Sequence, residues 1–175
     1  MKKTLISLAL IVFFFQNAHC NPGICVQGNC TNGHGSYVWE NGSKYEGNWK
    51  NTKRNGHGTM HYEEDQVYTG QWKNNKRNGK GKMQYFDGEI YTGQWKNDLS
   101  HGKGTFIYPD GRKFIGRWSK GQRHGKGIFI YRDKTEFSGK WQYDKMHGHC
   151  TIKSPDGKIE KTEYIKGNRV EDHKI

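Results

Sequence analysis

The sequence predicts an all-β protein built as a single elongated antiparallel meander sheet of tandem 23-residue β-hairpins. Large side chains stand two residues apart on either side of Asn-Gly or Asp-Gly pairs, which is the spacing of a β-hairpin. No segment carries helical periodicity. A unit this short cannot bury its own apolar surface, so stability must come from stacking neighbouring units. The unit length is set by six glycines, one at the start of each unit: Gly33, Gly56, Gly79, Gly102, Gly125 and Gly148.

The composition also favours an elongated array. Apolar residues make up 31% of the chain, below the ~45–50% typical of globular domains, so a thick core is excluded. Aromatic residues reach 14% and are phased with the repeat, which argues against a disordered chain. Function is therefore expected to reside on the surface of the array.

Residues 1–20 have the pattern of a signal peptide. Lys2 and Lys3 precede an apolar run from Leu5 to Phe15, and a short polar end leads to Cys20. This run is shorter than the ~20 residues that span a bilayer. We therefore expect export to a secreted, cell-surface or periplasmic location. Cleavage after Cys20 is favoured, and lipid attachment at Cys20 is the alternative.

Three further cysteines lie beyond the predicted cleavage site. Cys25 and Cys30 are close together in the N-terminal stretch, residues 21–32, whereas Cys150 lies on the last repeat. An oxidising compartment would join two of them. We expect a Cys25–Cys30 disulfide and a free Cys150.

The turn residues predict the register of each hairpin. Pro109, Asp110 and Gly111 suit a type I turn followed by a left-handed glycine, which gives a three-residue loop. This loop places Phe106 opposite Phe114, and their equivalents likewise, on one face. The predicted structural ladder on that face consists of Tyr37, Tyr45, Trp49, Tyr68, Trp72, Tyr91, Trp95, Phe106, Phe114, Trp118, Phe129, Phe137 and Trp141.

Successive hairpins are joined by stretches such as residues 50–55, long enough only for another reversal. The array is expected to cover residues 33–164, with five full units and a partial sixth, and residues 165–175 form a tail. The sixth unit has lost its key aromatics, as expected of a capping repeat.

The unit reads Gly33-x-Gly35-x-Tyr37-x-Trp39-x-Asn41-Gly42-x-x-Tyr45-x-Gly47-x-Trp49. This pattern resembles the MORN (membrane occupation and recognition nexus) repeat family. The resemblance implies a scaffold, a lipid-binding module or an accessory arm of an enzyme. Two turns depart from the pattern, at Glu64-Asp65 and Asp133-Lys134, where the turn glycine is missing.

The sequence predicts no catalytic, cofactor or metal site. Each Gly-x-Gly opens a strand and lacks the helix that would hold phosphate. His101, His124 and His147 occupy equivalent positions and should lie ~9.6 Å apart, whereas zinc needs each ligand at ~2.0–2.1 Å. Carboxylates sit mainly in turns.

Charge divides the array into an acidic turn edge and a basic edge at the inter-hairpin stretches, within a net charge of +12. We predict that the basic edge binds anionic lipid or a surface polymer, and a protein partner is the alternative. Nucleic acid is improbable because of the predicted export and the acidic turns. The residues of this predicted edge are Lys50, Lys53, Arg54, Lys73, Lys76, Arg77, Lys120 and Arg123.

The predicted function is an exported, non-enzymatic binding or scaffold protein. The alternatives are a glycan- or protein-binding module that uses the aromatic groove, and a detached regulatory subunit of an enzyme. The non-aromatic face also carries an apolar patch of Ile107, Ile115, Ile128 and Ile130. This patch is either an exposed partner site or is covered by the tail.

Overall fold

A computed structural model of the chain describes residues 23–170. The predicted signal peptide and Cys20 lie outside the described residues, as do residues 171–175 of the predicted tail. Fourteen strands form one sheet in which each strand pairs antiparallel with its neighbours in the sequence. The predicted meander is confirmed. The strands are β1 Gly23–Gly28, β2 Gly33–Trp39, β3 Lys44–Lys50, β4 Lys53–His61, β5 Val67–Lys73, β6 Lys76–Gln84, β7 Ile90–Lys96, β8 Leu99–Ile107, β9 Lys113–Ser119, β10 Gln122–Ile130, β11 Glu136–Gln142, β12 Lys145–Lys153, β13 Ile159–Ile165 and β14 Asn168–Arg169.

The hairpin turns have the predicted three-residue loops. In unit 1 the Gly42 N–H donates to the carbonyl of Trp39 at 2.9 Å, and the Trp39 N–H donates to the carbonyl of Ser43 at 2.9 Å. Tyr37 then pairs with Tyr45, and unit 4 repeats this register with Phe106 opposite Phe114. The register prediction is confirmed.

The turns without glycine keep the same register. In unit 5, Lys134 takes the glycine position at a φ of 73°, and its N–H donates to the carbonyl of Tyr131 at 3.1 Å. Phe129 still pairs with Phe137. Strand pairing on both sides therefore outweighs the local cost of a side chain at positive φ.

The reversals between hairpins are tighter than the sequence suggested. Lys50 pairs with Lys53, so the turn consists only of Asn51 and Thr52, both at positive φ as a type I′ turn requires. The register then shifts within the β3–β4 pair. Gly56 lies at this bulge with a φ of 95°, which explains why glycine begins each unit.

The core is a single layer of aromatic rings on one side of the sheet, here called the aromatic face; the opposite side is the outer face. Tyr45 is fully buried, and its ring lies over the backbone of Gly58, where a Cβ atom would come within 2.7 Å of the ring. Trp49 and Trp72 flank Tyr45 with T-shaped contacts at 5.1 and 5.4 Å. The Trp49 indole donates to the carbonyl of Gly35 at 3.0 Å.

The two ends of the sheet extend beyond the predicted array. β1 lies in the predicted N-terminal stretch and pairs with β2, and a disulfide joins Cys25 to Cys30. Cys150 is buried and is the free cysteine among residues 23–170. At the other end β14 continues the sheet by pairing with β13, so the described part of the tail does not fold over the outer face.

Candidate binding surfaces

Strand alternation divides the predicted basic edge between the two faces. Lys50 and Lys53 are opposite each other, and Trp49 is opposite Arg54. Because consecutive residues of a strand point to opposite faces, Lys53 lies on the outer face and Arg54 on the aromatic face. The eight predicted residues therefore do not form one surface.

The arginines of this set are committed to contacts between units. Arg77 lies 4.3 Å from the ring centroid of Trp95, donates to the carbonyl of Asp98 at 2.9 Å and pairs with its carboxylate at 3.3 Å. Arg123, two units further along the chain, makes the same contacts with Trp141 and Asp144. Such stacking combines cation–π attraction with fixed hydrogen bonds.

Arg54 occupies the position equivalent to Arg77 in the preceding unit. It lies 4.5 Å from the Trp72 centroid and donates to the carbonyl of Asn75 at 3.0 Å. Burial lowers the pKa of its guanidinium, and the neighbouring Tyr62 and Tyr45 oppose that shift. The three arginines thus fasten units 1, 2 and 4 each to the unit that follows.

Four lysines of the set lie on the outer face: Lys50, Lys53, Lys73 and Lys76. Lys50, Lys53 and Lys73 are exposed and line a cavity of about 640 Å³ together with asparagines of units 1 and 2. Lys73 is opposite Lys76, and within residues 23–170 none of these lysines forms a salt bridge. Lys120, also exposed, lies in the unit 4 turn, away from this cavity.

The predicted aromatic residues lie together on the aromatic face, but sequence reasoning missed a second column beside them. Each of these side chains comes two residues after a side chain of the aromatic face, so the same period-two spacing could have identified them. The preceding side chains are Tyr37, Met60, Met83, Phe106 and Phe129. Tyr62 and Tyr85 are partly buried, and this burial raises the pKa of their phenols. Tyr131, at the C-terminal end of the column, is 38% exposed. The additional column consists of Trp39, Tyr62, Tyr85, Tyr108 and Tyr131.

The aromatic face opens at its C-terminal end. Arg123, Phe129, Tyr131, Trp141 and Met146 line a cavity of about 410 Å³ there. Across residues 23–170, no three His, Cys, Asp or Glu side chains are grouped so as to hold a metal ion. That same region contains no helix long and apolar enough to cross a membrane.

Comparison with known families identifies the repeat. The model described as "MORN repeat" matches six segments, residues 31–44, 45–65, 68–90, 91–111, 114–136 and 137–159. The chain belongs to the MORN repeat family. No curated protein matches the chain significantly.

Two solved structures are similar to the MORN array in outline. The SAS-4 (dCPAP) TCP domain of Drosophila melanogaster, in complex with a proline-rich motif of Ana2, is 13% identical, with a TM-score of 0.47 over 94% of this chain and 99% of that one. The TCP10 domain of Danio rerio CPAP is 16% identical, with a TM-score of 0.41 over 75% of this chain and 68% of that one. Both superpositions are too loose to carry a functional inference.

The outer face of the MORN array changes character along its length. Units 1 and 2 place polar residues there, such as Thr59 paired with Thr69. In units 4 and 5, Ile115 pairs with Ile128, and the two are 42% and 36% exposed. The apolar patch predicted from the sequence is thus present and uncovered among the described residues.

Proposed function

We propose that this MORN protein is a non-enzymatic binding or scaffold protein that attaches to an anionic membrane or surface polymer through the exposed lysines of units 1 and 2. Membership of the MORN family suggests the binding or scaffold role. Export through the predicted signal peptide belongs to the proposal and rests on the sequence pattern alone.

The observation that carries the proposal is the cavity of about 640 Å³ lined by Lys50, Lys53 and Lys73. Lys50 and Lys53 are directly opposed, and like charges in that arrangement destabilise a sheet. An anionic group between them would remove the repulsion and form charge-assisted hydrogen bonds. Each basic residue near an anionic membrane contributes about 1 kcal/mol.

The test is retention on anionic and zwitterionic vesicles and on an immobilised polyanion, at two salt concentrations. The edge variant carries K50Q, K53Q, K73Q and K76Q. It should lose at least about a hundredfold in affinity for anionic vesicles, from about 1 kcal/mol per residue. The arginines stay in place because their removal would damage the contacts between units. A control variant, R132Q/K153Q/K158Q/K161Q, removes the same charge from other exposed positions.

Two outcomes would refute the attachment surface. Retention that is indifferent to salt would exclude an electrostatic edge. Equal losses in the edge and control variants would show that net charge, rather than this cavity, governs adsorption.

A second candidate function is peptide binding on the aromatic face. Tyr62, Tyr85 and Tyr108 recur every two strands, or about 9.6 Å. A polyproline II segment turns once every three residues, or about 9.3 Å. Its prolines would therefore meet successive tyrosines, as in other aromatic-lined grooves for such segments. The open cavity beside Tyr131 lies at the C-terminal end of this row of tyrosines.

This second function is tested by tryptophan fluorescence during titration with a Pro-x-x repeat peptide. We expect binding that is weakened by Tyr108→Ser, the residue type that unit 6 carries at Ser154. An equal response to a scrambled peptide of the same composition would exclude the match in spacing.

A further inference from the structure

The outer face carries a groove that runs across the strands. Two shallow cavities of about 420 Å³ each share Lys103 as a lining residue. From His57 in β4 to Lys126 in β10 the groove crosses about 29 Å of sheet, at the usual strand spacing. Its floor is the backbone of glycines paired across neighbouring strands: Gly70, Gly81, Gly93, Gly104 and Gly116.

The two walls of this groove differ in chemistry. One wall offers hydroxyl and apolar groups, from Thr69, Thr92, Thr105 and Ile115. The other offers cations and an amide, from Lys80, Gln94, Lys103, Arg117 and Lys126.

The cationic wall has no counter-charge from the part of the chain that the structure describes. Lys103 is opposite Arg117, and Lys126 is opposite Lys140, so four cations stand on the successive strands β8 to β11. All four are exposed, and within residues 23–170 none is in a salt bridge. Among residues 23–170, no carboxylate lines either cavity. Because directly opposed like charges destabilise a sheet, this row is best explained by an external polyanion.

We propose that the outer groove binds a linear anionic polysaccharide, with its sulfate or carboxylate groups on the cationic wall. The proposal rests on the proposed function, in which the partner is anionic. It assigns that partner to a chemical class, the anionic polysaccharides, and gives it a second binding site on the protein. Lys103, Arg117 and Lys126 supply charge-assisted hydrogen bonds. Thr105 and Gln94 bond sugar hydroxyls, and the C–H faces of the sugar rings pack on Ile115.

A polypeptide suits this groove less well. Every floor strand is already paired on both sides, so an added peptide strand cannot hydrogen-bond to the sheet. An extended peptide would leave its backbone N–H and C=O groups without protein partners, whereas a polysaccharide has no such backbone. A bilayer surface would contact only the ends of the lysine side chains and would leave the groove unfilled.

The test is titration of the full chain with heparin fragments, polygalacturonate, polyglutamate and anionic vesicles. The groove variant carries K103Q, R117Q, K126Q and K140Q, and it is compared with the edge and control variants defined above. The groove variant should lose about a hundredfold or more in affinity for at least one polysaccharide, because it lacks the cations that form charge-assisted hydrogen bonds with sulfate or carboxylate groups. Its midpoint of unfolding should stay equal or rise, since the like-charge repulsion is removed.

The outcomes separate this proposal from the proposed function. Polysaccharide binding lost in the groove variant, with vesicle binding retained, supports the groove. Binding unchanged in the groove variant but lost in the edge variant overturns the groove and leaves the proposed function standing. If the wild type binds polyglutamate as tightly as it binds the polysaccharides, and the groove variant loses that binding to the same extent, the polysaccharide class is wrong. A wild type that binds no polyanion and no vesicle overturns both proposals.

Discussion

Units 1 to 3 and units 4 to 5 build the same layer from different side chains. In units 1 to 3 the buried ring is tyrosine, and Tyr68, for example, donates its hydroxyl to the carbonyl of Gln71 at 3.0 Å. In unit 4 that ring is Phe114, which has no hydroxyl to donate. The T-shaped contact with tryptophan persists, at 5.0 Å for Tyr68–Trp72 and 5.4 Å for Phe114–Trp118.

The comparison separates what the fold requires from what each unit adds. The ring and the glycine beneath it recur in both regions, since Gly81 lies under Tyr68 and Gly127 under Phe114. The hydroxyl bond belongs to the first region alone. The outer face changes independently, from Thr69 to Ile115 at equivalent positions. The layer thus depends on ring shape, while hydrogen bonds and outer residues are free to vary.

The largest expected effect comes from adding a methyl group beneath the rings. In Gly93→Ala the new Cβ atom would lie 2.6 Å from the Gly104 Cα atom and from the Tyr91 hydroxyl. At the equivalent position of unit 5, the Cβ atom of Gly139→Ala would meet its nearest atom at 3.2 Å. We expect losses in the free energy of unfolding of about 3 kcal/mol for Gly93→Ala and below about 1 kcal/mol for Gly139→Ala. Denaturant unfolding measures both, and equal losses would contradict this account of the glycines.

The next effect concerns the arginines that fasten consecutive units. Arg77→Ala removes the stacking on Trp95 and the bonds to Asp98, at a cost of about 2 kcal/mol. The junction of units 3 and 4 lacks the device, because Ser100 and Gly121 occupy the arginine and aspartate positions. We expect Ser100→Arg with Gly121→Asp to stabilise the chain by about 1 kcal/mol. Gly121 has a φ of 87°, and Asp98 at the equivalent position already has a φ of 68°.

This prediction also has a clear contrary result. Ser100→Arg alone should gain less than the double variant, because the guanidinium then lacks its carboxylate partner. A double variant no more stable than wild type would show that the arginines do not strengthen the junctions.

Much of this architecture followed from the sequence, because phased glycines and a Pro-Asp-Gly turn determine both unit length and hairpin register. The face of the sheet on which Arg54 lies could not be predicted from the sequence. It depends on the two-residue turn at Asn51 and Thr52 and on the bulge at Gly56, and neither has a turn signal as plain as Asp-Gly. β1 was also missed, since residues 23–28 carry no copy of the repeat and pair only because β2 offers an edge.

A smaller effect should come from exchanging the hydroxyl between the two regions. Tyr68→Phe leaves the Gln71 carbonyl without its donor, at an expected cost of about 1 kcal/mol. Phe114→Tyr supplies a hydroxyl at the equivalent position, where the Arg117 carbonyl is the matching acceptor, and should gain up to about 1 kcal/mol. Both changes are measured by denaturant unfolding. A Phe114→Tyr variant that is destabilised would mean that the rings of the two regions are not interchangeable.

The smallest effect near neutral pH is the ionisation of the tyrosines in units 1 to 3. Burial raises the pKa of Tyr45 to about 12, although the neighbouring Arg54 partly opposes the shift, and burial also raises the pKa of Tyr68 and Tyr91. Tyrosine in an unfolded chain ionises near pH 10. The folded state therefore holds the phenol protons more tightly, and its stability is complete below about pH 10 and is lost as the pH rises through about 12.

The triple variant Y45F/Y68F/Y91F removes these three phenols and makes units 1 to 3 resemble units 4 and 5. Its sheet, followed by circular dichroism, should survive to higher pH than that of the wild type, despite the lower stability near pH 7 from three lost hydroxyl bonds. Absorbance of tyrosinate should show part of the wild-type titration delayed beyond pH 10. Full ionisation near pH 10 with an intact sheet would mean that the rings of units 1 to 3 are open to solvent.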